Sequence, residues 1–132
     1  MLTKITPDLQ KANALVAMAK VTLERLKETD RYKYPTNTVT DYYDSIHKLL
    51  ESFAYRDGVK TRGDGAHQVL IDFICQKYQL GESIRIFLQD LREYRNRISY
   101  EGFTLSEHYL REHEKKIEQI ILKLMEINIK NK

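Results

Sequence analysis

Apolar residues recurring three and four positions apart are the feature that most restricts how this chain can fold. Leu9, Ala12, Val16, Ala19, Leu23 and Leu26 form one such series, and Tyr42, Tyr43, Ile46, Leu49, Leu50 and Phe53 a second. Val69, Leu70, Phe73, Ile74 and Tyr78 follow as a third, and Ile84, Phe87, Leu88, Leu91, Tyr94 and Ile98 as a fourth. Leu110, Ile117, Ile120, Ile121, Leu124 and Ile127 close the chain. This spacing puts each series on one face of a helix. A single amphipathic helix of this length is marginal in water, so the stripes must pack on one another. The punctuation agrees: five Gly and two Pro in 132 residues are too few for the turns of an all-β sandwich. The expected fold class is therefore all-α, an antiparallel up-and-down helical bundle of four to five helices, in one domain spanning residues 1–132.

Local signals predict the helix ends. Thr6 reads as an N-cap with Pro7 at the first helical position and Asp8 in the first turn. Ala12 and Ala19 allow a neighbouring helix to approach closely. Residues 31–40 interrupt the pattern, with Pro35, Asn37 and several Thr suited to turns and caps. Residues 56–65 hold three of the five glycines and are expected to form the most flexible connection. Gly81 separates the third and fourth helices, and Gly102 is suited to stop the fourth. Thr104-Leu105-Ser106-Glu107 reads as a capping box that starts the last helix near Leu105. The polar tail, residues 130–132, is expected to fray.

Composition narrows the function classes. A net charge of +3 is mildly basic and neither requires nor excludes a nucleic-acid partner; clustering of the positive charge decides that. The lone Cys75 cannot form an internal disulfide, which suits a reducing, cytoplasmic setting, and it reads as a small buried apolar residue. There is no signal-type apolar run and nothing near the roughly 20 apolar residues of a membrane span, so no membrane association is expected. No cofactor is expected: Lys60, Arg62 and Asp64 lie in a Gly-rich loop, but the glycine spacing and the Lys-Ser/Thr ending of a phosphate-binding loop are missing. No metal is expected either. His108 and Glu112 are four apart, with His113 following, yet no third ligand is evident. His47 and His67 each border an apolar face and read as hydrogen-bonded structural residues.

Reactive side chains concentrate in residues 94–103, Tyr-Arg-Asn-Arg-Ile-Ser-Tyr-Glu-Gly-Phe. On a regular helix Arg95 projects roughly 40° from Leu91, inside the apolar arc. An arginine there needs a carboxylate, a subunit partner or a water-filled cleft; the plainer alternative is an Arg whose stem packs on the core while its head reaches solvent. Arg92, Asn96 and Ser99 form a polar strip beside it. Arg92, Arg95, Arg97 and Ser99 are the candidate phosphate- or RNA-binding residues, although Arg97 projects from another face.

Arg95-Asn96 followed by Tyr100 and Phe103, in the penultimate helix of a small helical bundle, resembles the HEPN superfamily. Tyr43 to Leu50, Gly58-Val59-Lys60 and Ala66-His67 are similar in style, and the resemblance covers about residues 8–127. It implies a helical partner of a minimal nucleotidyltransferase, of the toxin–antitoxin type, acting as a homodimer. Active members of that family are metal-independent endoribonucleases in which Arg and His of both subunits line one cleft. The family spaces its His four to six residues beyond the Arg. Here Tyr100 stands with four residues between it and Arg95, Gly102 stands at six, and no His lies in the window. A tyrosine of ordinary pKa, about 10, is a poor base at neutral pH. Arg95, Asn96 and Tyr100 remain the candidate catalytic group, with Arg95 as a bidentate phosphate ligand and Tyr100 as a donor or stacking platform. Arg95 and Tyr100 lie about 140° apart on a regular helix. They converge only if the helix end unwinds before Gly102 or a second subunit supplies one of them.

Three readings follow. The first is a homodimeric HEPN-like protein that partners a nucleotidyltransferase and binds RNA or a nucleotide in an Arg95 cleft, with ribonuclease activity weak or lost. The second is an active endoribonuclease using Tyr100 or Glu101 in place of the His. The third is a helical protein-interaction adaptor.

Overall fold

A computed structural model describes residues 1–130. Five helices form the bundle expected from the apolar periodicity: α1 (Leu9–Lys27), α2 (Pro35–Asp57), α3 (Ala66–Lys77), α4 (Glu82–Glu101) and α5 (Glu107–Lys130). Two three-residue strands, β1 (Leu2–Lys4) and β2 (Val59–Thr61), pair antiparallel with Thr3 opposite Lys60. Lys130 is the last residue of α5, and the expected fraying concerns Asn131 and Lys132, which lie outside the described residues.

Helix α2 is the centre of the molecule and packs against each of the other four helices. Its sequence explains this. Val39, Tyr42, Tyr43, Ile46, Leu49, Leu50, Phe53 and Ala54 are all buried, a far wider apolar face than α4 carries, where only Leu88 and Leu91 are fully covered. A helix with one narrow stripe lies on the outside of a bundle; one with a wide face sits inside. On α3 the buried set is Leu70, Ile71, Ile74 and Cys75, while Val69, Phe73 and Tyr78 are only half-covered. Cys75 is buried as expected, and burial pushes its thiol up to about 11, so it is held as an inert apolar group.

Cross-links between helices give their directions. Asp8 N–H donates to Tyr55 O at one end of the α1–α2 pair and Arg25 meets Asp41 at 2.7 Å at the other, so the two are antiparallel. The α3–α4 and α4–α5 pairs are antiparallel too, as Gln89 to Gln68 with Arg85 to Asp72, and Tyr94 to Tyr109 with Phe87 to His113, indicate. Helix α3 departs from the expected up-and-down order and runs alongside α2 in the same direction: His67 stacks on His47, and Tyr78 O–H reaches Asp57 at 2.8 Å. The segment with Gly58, Gly63 and Gly65 makes this return, and β2 within it is tied to β1. Part of the expected flexible connection is therefore ordered by a strand pair that no local signal announced.

Three boundaries differ from expectation. Helix α1 starts at Leu9, because Asp8 rather than Thr6 accepts from Lys11 N–H at 2.9 Å. Helix α2 starts at Pro35, inside the stretch expected to be broken: proline suits a first helical position, and Tyr34 O accepts from the Thr38 N–H at 2.9 Å as well as from its hydroxyl at 2.8 Å. Helix α5 starts at Glu107 with Ser106 as its cap, its Oγ accepting from Tyr109 N–H at 3.1 Å. Thr104 takes no part in that cap. Gly102 does stop α4, in the left-handed region at φ 66°.

Pro7, freed from the helix start, packs on Gly58 instead. A Cβ at Gly58 would lie 2.8 Å from Ile5 O and 3.1 Å from Pro7 Cγ, and φ there is 74°. Gly58→Ala is therefore expected to lower the unfolding free energy by about 2 kcal/mol, read as a reduced urea midpoint. Gly63→Ala, with nothing near its Cβ, serves as the comparison that isolates the clash from the left-handed backbone.

Beneath the start of α2 lies a buried carboxylate. Glu114, 6% exposed, accepts from Arg31 Nε at 2.8 Å, from Tyr42 O–H at 2.8 Å and from Tyr32 O–H. Among the described residues no buried side-chain nitrogen or oxygen lacks a hydrogen-bond partner.

Candidate functional site

Helix α4 buries Leu88 and Leu91, and its next turn carries Arg95 along the same edge. The expected partner for an arginine in an apolar arc is present: Asp44 of α2 receives Arg95 Nε at 3.2 Å. The Arg95 side chain keeps 30% of its surface and Asp44 38%, so the pair is open to solvent on one side. One turn earlier, Arg92 is more covered at 16%; its Nε donates to Gln89 Oε1 at 2.8 Å, and Glu93 lies 3.7 Å away. Both arginines reach the turns that carry the two histidines described next: Arg95 pairs with Asp44, three residues before His47 on α2, and Gln89, the partner of Arg92, donates to Gln68 O, next to His67 on α3.

The other residues of the stretch do not gather there. Asn96 and Ser99 are exposed. Arg97 lies over the Phe103 ring at 4.0 Å and 3.9 Å from Glu101, on another face. Helix α4 remains helical through Glu101, so Tyr100 stays turned away from Arg95 and is 86% exposed. Within one chain, Arg92 and Arg95 share a site, and Tyr100 and Arg97 stand outside it.

Two histidines that read as structural residues in the sequence complete the site. His47 of α2 and His67 at the start of α3 stack with ring centroids 3.8 Å apart and planes 29° from parallel. His47 Nδ1 is 3.1 Å from Glu51 Oε1, one turn along α2. A carboxylate at that nitrogen holds the N–H on Nδ1 of the neutral ring and leaves Nε2 with a lone pair. The Tyr43 hydroxyl lies 3.5 Å from His67 Nδ1, and burial pushes that phenol far above its usual range, so it stays a neutral donor. Burial alone would raise the Glu51 carboxyl. The hydrogen bond from His47 and the charges of His47, His67 and Lys48 outweigh it and hold Glu51 below its ordinary value. The site is thus two cations, a paired imidazole stack, a neutral phenol and two carboxylates, drawn from α2, α3 and α4.

A sequence signal for half of this existed. Tyr43, His47 and Glu51 follow one another at intervals of four, which aligns them on one helix face. Nothing local connects them to His67 or to Arg92. Face-to-face imidazoles cannot aim their lone pairs at one point, and among the described residues no group of three His, Cys, Asp or Glu could hold a metal ion.

Elsewhere, His108 and Glu112 form an exposed pair at 3.4 Å, and His113 packs against Tyr109 and Phe87. Lys60 extends along β2 over Tyr55, and Arg62 N–H donates to Met1 O, so the Gly-rich loop presents a strand edge and not a phosphate cradle. A groove of about 460 Å³ between α1 and α5 is walled by Leu23, Leu26, Ile121, Leu122 and Met125 among others. No helix among the described residues is long and apolar enough to cross a membrane.

No protein-family model matches the sequence, no curated protein is significantly similar to it, and no solved structure is significantly similar to its fold.

Proposed function

We propose that this chain is a HEPN-like helical protein that binds an RNA or nucleotide phosphate at the Arg92–Arg95 edge. The reading rests on one observation above the others: two guanidiniums, each with solvent access, are tied to the turns that carry the stacked pair His47–His67, Arg95 through Asp44 and Arg92 through Gln89. Arginine suits the task because its planar fork matches two phosphate oxygens. The Asp44 carboxylate positions Arg95 while the site is empty, and a phosphate oxygen takes up the free edge of the guanidinium. In this reading the protein works in the cytoplasm as a homodimer, as a toxin–antitoxin component beside a nucleotidyltransferase, and Tyr100 reaches an Arg95 site only across the dimer. The test is binding of a short single-stranded RNA by fluorescence anisotropy. Arg95→Ala is expected to weaken binding about tenfold or more, and static light scattering is expected to give twice the single-chain mass. Unchanged RNA affinity in Arg95→Ala would remove the reading.

The His47–Glu51 pair favours a second reading, a metal-independent endoribonuclease. The neutral His47 takes the proton of an RNA 2′-hydroxyl as its oxygen attacks the adjacent phosphorus. The bond from phosphorus to the 5′-oxygen breaks, and that oxygen takes a proton from a protonated imidazole. The products are a 2′,3′-cyclic phosphate and a free 5′-hydroxyl. RNA cleavage in the presence of a chelator, lost in both His47→Gln and Arg95→Ala, selects this reading; intact RNA with normal binding selects the first.

A further inference from the structure

We infer that the His47–His67 stack couples phosphate binding at Arg92 and Arg95 to the uptake of a proton, so that acidification tightens the site. The inference rests on the binding reading above and concerns its regulation.

The geometry carries it. Two imidazoles with centroids 3.8 Å apart cannot both be charged without strong repulsion, so the stack takes up a first proton more readily than a second. The surrounding charges are balanced against even the first. From α2, Glu51 favours it, Lys48 bears on Glu51 and the Tyr43 hydroxyl is neutral; Asp44 is already engaged by Arg95. From α4, Arg92 and Arg95 both oppose it. His67 responds as this predicts. Partial burial and the charge of His47 lower it, Glu51 pulls the other way, and Arg92 and Arg95 lower it further, so its imidazole sits below the ordinary value. A phosphate bound between the arginines cancels their field at the stack and adds its own negative charge. The bound site then holds the proton that the empty site released.

The sign follows from linkage. In the empty site the His67 imidazole lies below the usual value of about 6.5, and the charge of a bound phosphate raises it. Affinity therefore rises as pH falls through the occupied-site value and levels off below the empty-site value, by at most tenfold per pH unit for one proton.

Binding of a single-stranded RNA oligonucleotide without terminal phosphates tests this, because the charge of a phosphodiester is constant over the range. At fixed ionic strength, affinity near pH 5.5 is expected to exceed that near pH 8 by about fivefold or more. The double variant His47→Gln with His67→Gln is expected to reduce the ratio to below about twofold, with folding checked by circular dichroism. An NMR titration of the imidazole protons is expected to show the stack's pKa rising when RNA is added. RNA binding that is equal at both pH values overturns the inference alone. A pH dependence that persists in the double variant also overturns it, by assigning the effect to other groups. Absence of RNA binding at either pH overturns the binding reading as well.

Discussion

Replacing Glu114 by alanine is expected to lower the unfolding free energy by about 3 kcal/mol. Glu114 is buried and accepts from Arg31, Tyr42 and Tyr32 at once. Truncation leaves a cavity, the Tyr32 hydroxyl without its acceptor, the Tyr42 hydroxyl with the longer 3.4 Å contact to Glu118, and a guanidinium without its counter-charge. Tyr42 is 5% exposed and cannot turn to water, whereas the Arg31 side chain keeps 27% of its surface and recovers some hydration. That recovery places the cost at the lower end of what a broken buried ion pair usually costs. Against a total stability of about 5–15 kcal/mol for a domain, the loss is large, and urea denaturation reads it directly. Tyr32→Phe removes one donor and leaves the carboxylate with two, so its effect is expected to stay near 1 kcal/mol.

The same residue sets an acid limit on the fold. Burial raises the Glu114 carboxyl, but the hydrogen bonds from Tyr32, Arg31 and Tyr42 and the Arg31 charge together hold it below the ordinary carboxylate value. A depressed folded-state pKa means that the unfolded chain binds the proton more readily. The stabilisation is complete above the unfolded value of about 4.3 and is lost as pH falls through the folded value. Thermal midpoints measured from about pH 6 to pH 3 are expected to drop more steeply in the natural chain than in Glu114→Gln, which has no charge to lose.

The largest functional effect is expected from the double substitution of Arg92 and Arg95 by alanine. Each charge-assisted contact to a phosphate contributes about 1.5–3 kcal/mol, so removing both weakens RNA binding by about a hundredfold or more. The dependence of affinity on salt should flatten with it, because fewer counterions are released. The fold is expected to tolerate the change. The Arg95–Asp44 pair is partly exposed and contributes little to stability, about 1 kcal/mol or less, and Arg92 bonds to Gln89 and lies near Glu93, both of its own helix. Equal circular dichroism together with lost binding is therefore the expected pair of results. An Arg97→Ala variant, altered on the face that packs over Phe103, is expected to bind within about threefold of the natural chain, as a residue outside the site should.

The stripes of apolar residues were readable because helical burial leaves a periodic mark in the chain. Every residue expected to line α2 is buried, and Leu110, Ile117, Ile120, Ile121 and Leu124 are buried on α5 as expected. Caps were less readable, since Thr6 and Asp8, or Thr104 and Ser106, offer the same chemistry two residues apart, and the path of the incoming chain chooses between them. Leu9 shows the limit of periodicity: it fits the α1 stripe but stands 59% exposed, because the stripe outlasts the neighbour that covers it.

The sequence by itself determined that this chain is helical, that five apolar stripes would pack together, and that an arginine at position 95 would need a partner. These follow from local rules: spacing of apolar residues, propensity, and the cost of a lone charge against a hydrophobic arc. Only the tertiary structure decided that the partner is Asp44, that Glu114 gathers three donors, and that His47 and His67 meet beside the arginines. Those contacts join residues 20 to 83 positions apart. They depend on α3 returning parallel to α2 through a loop held by a strand pair, and no short-range pattern in the chain records where that loop sets the next helix down.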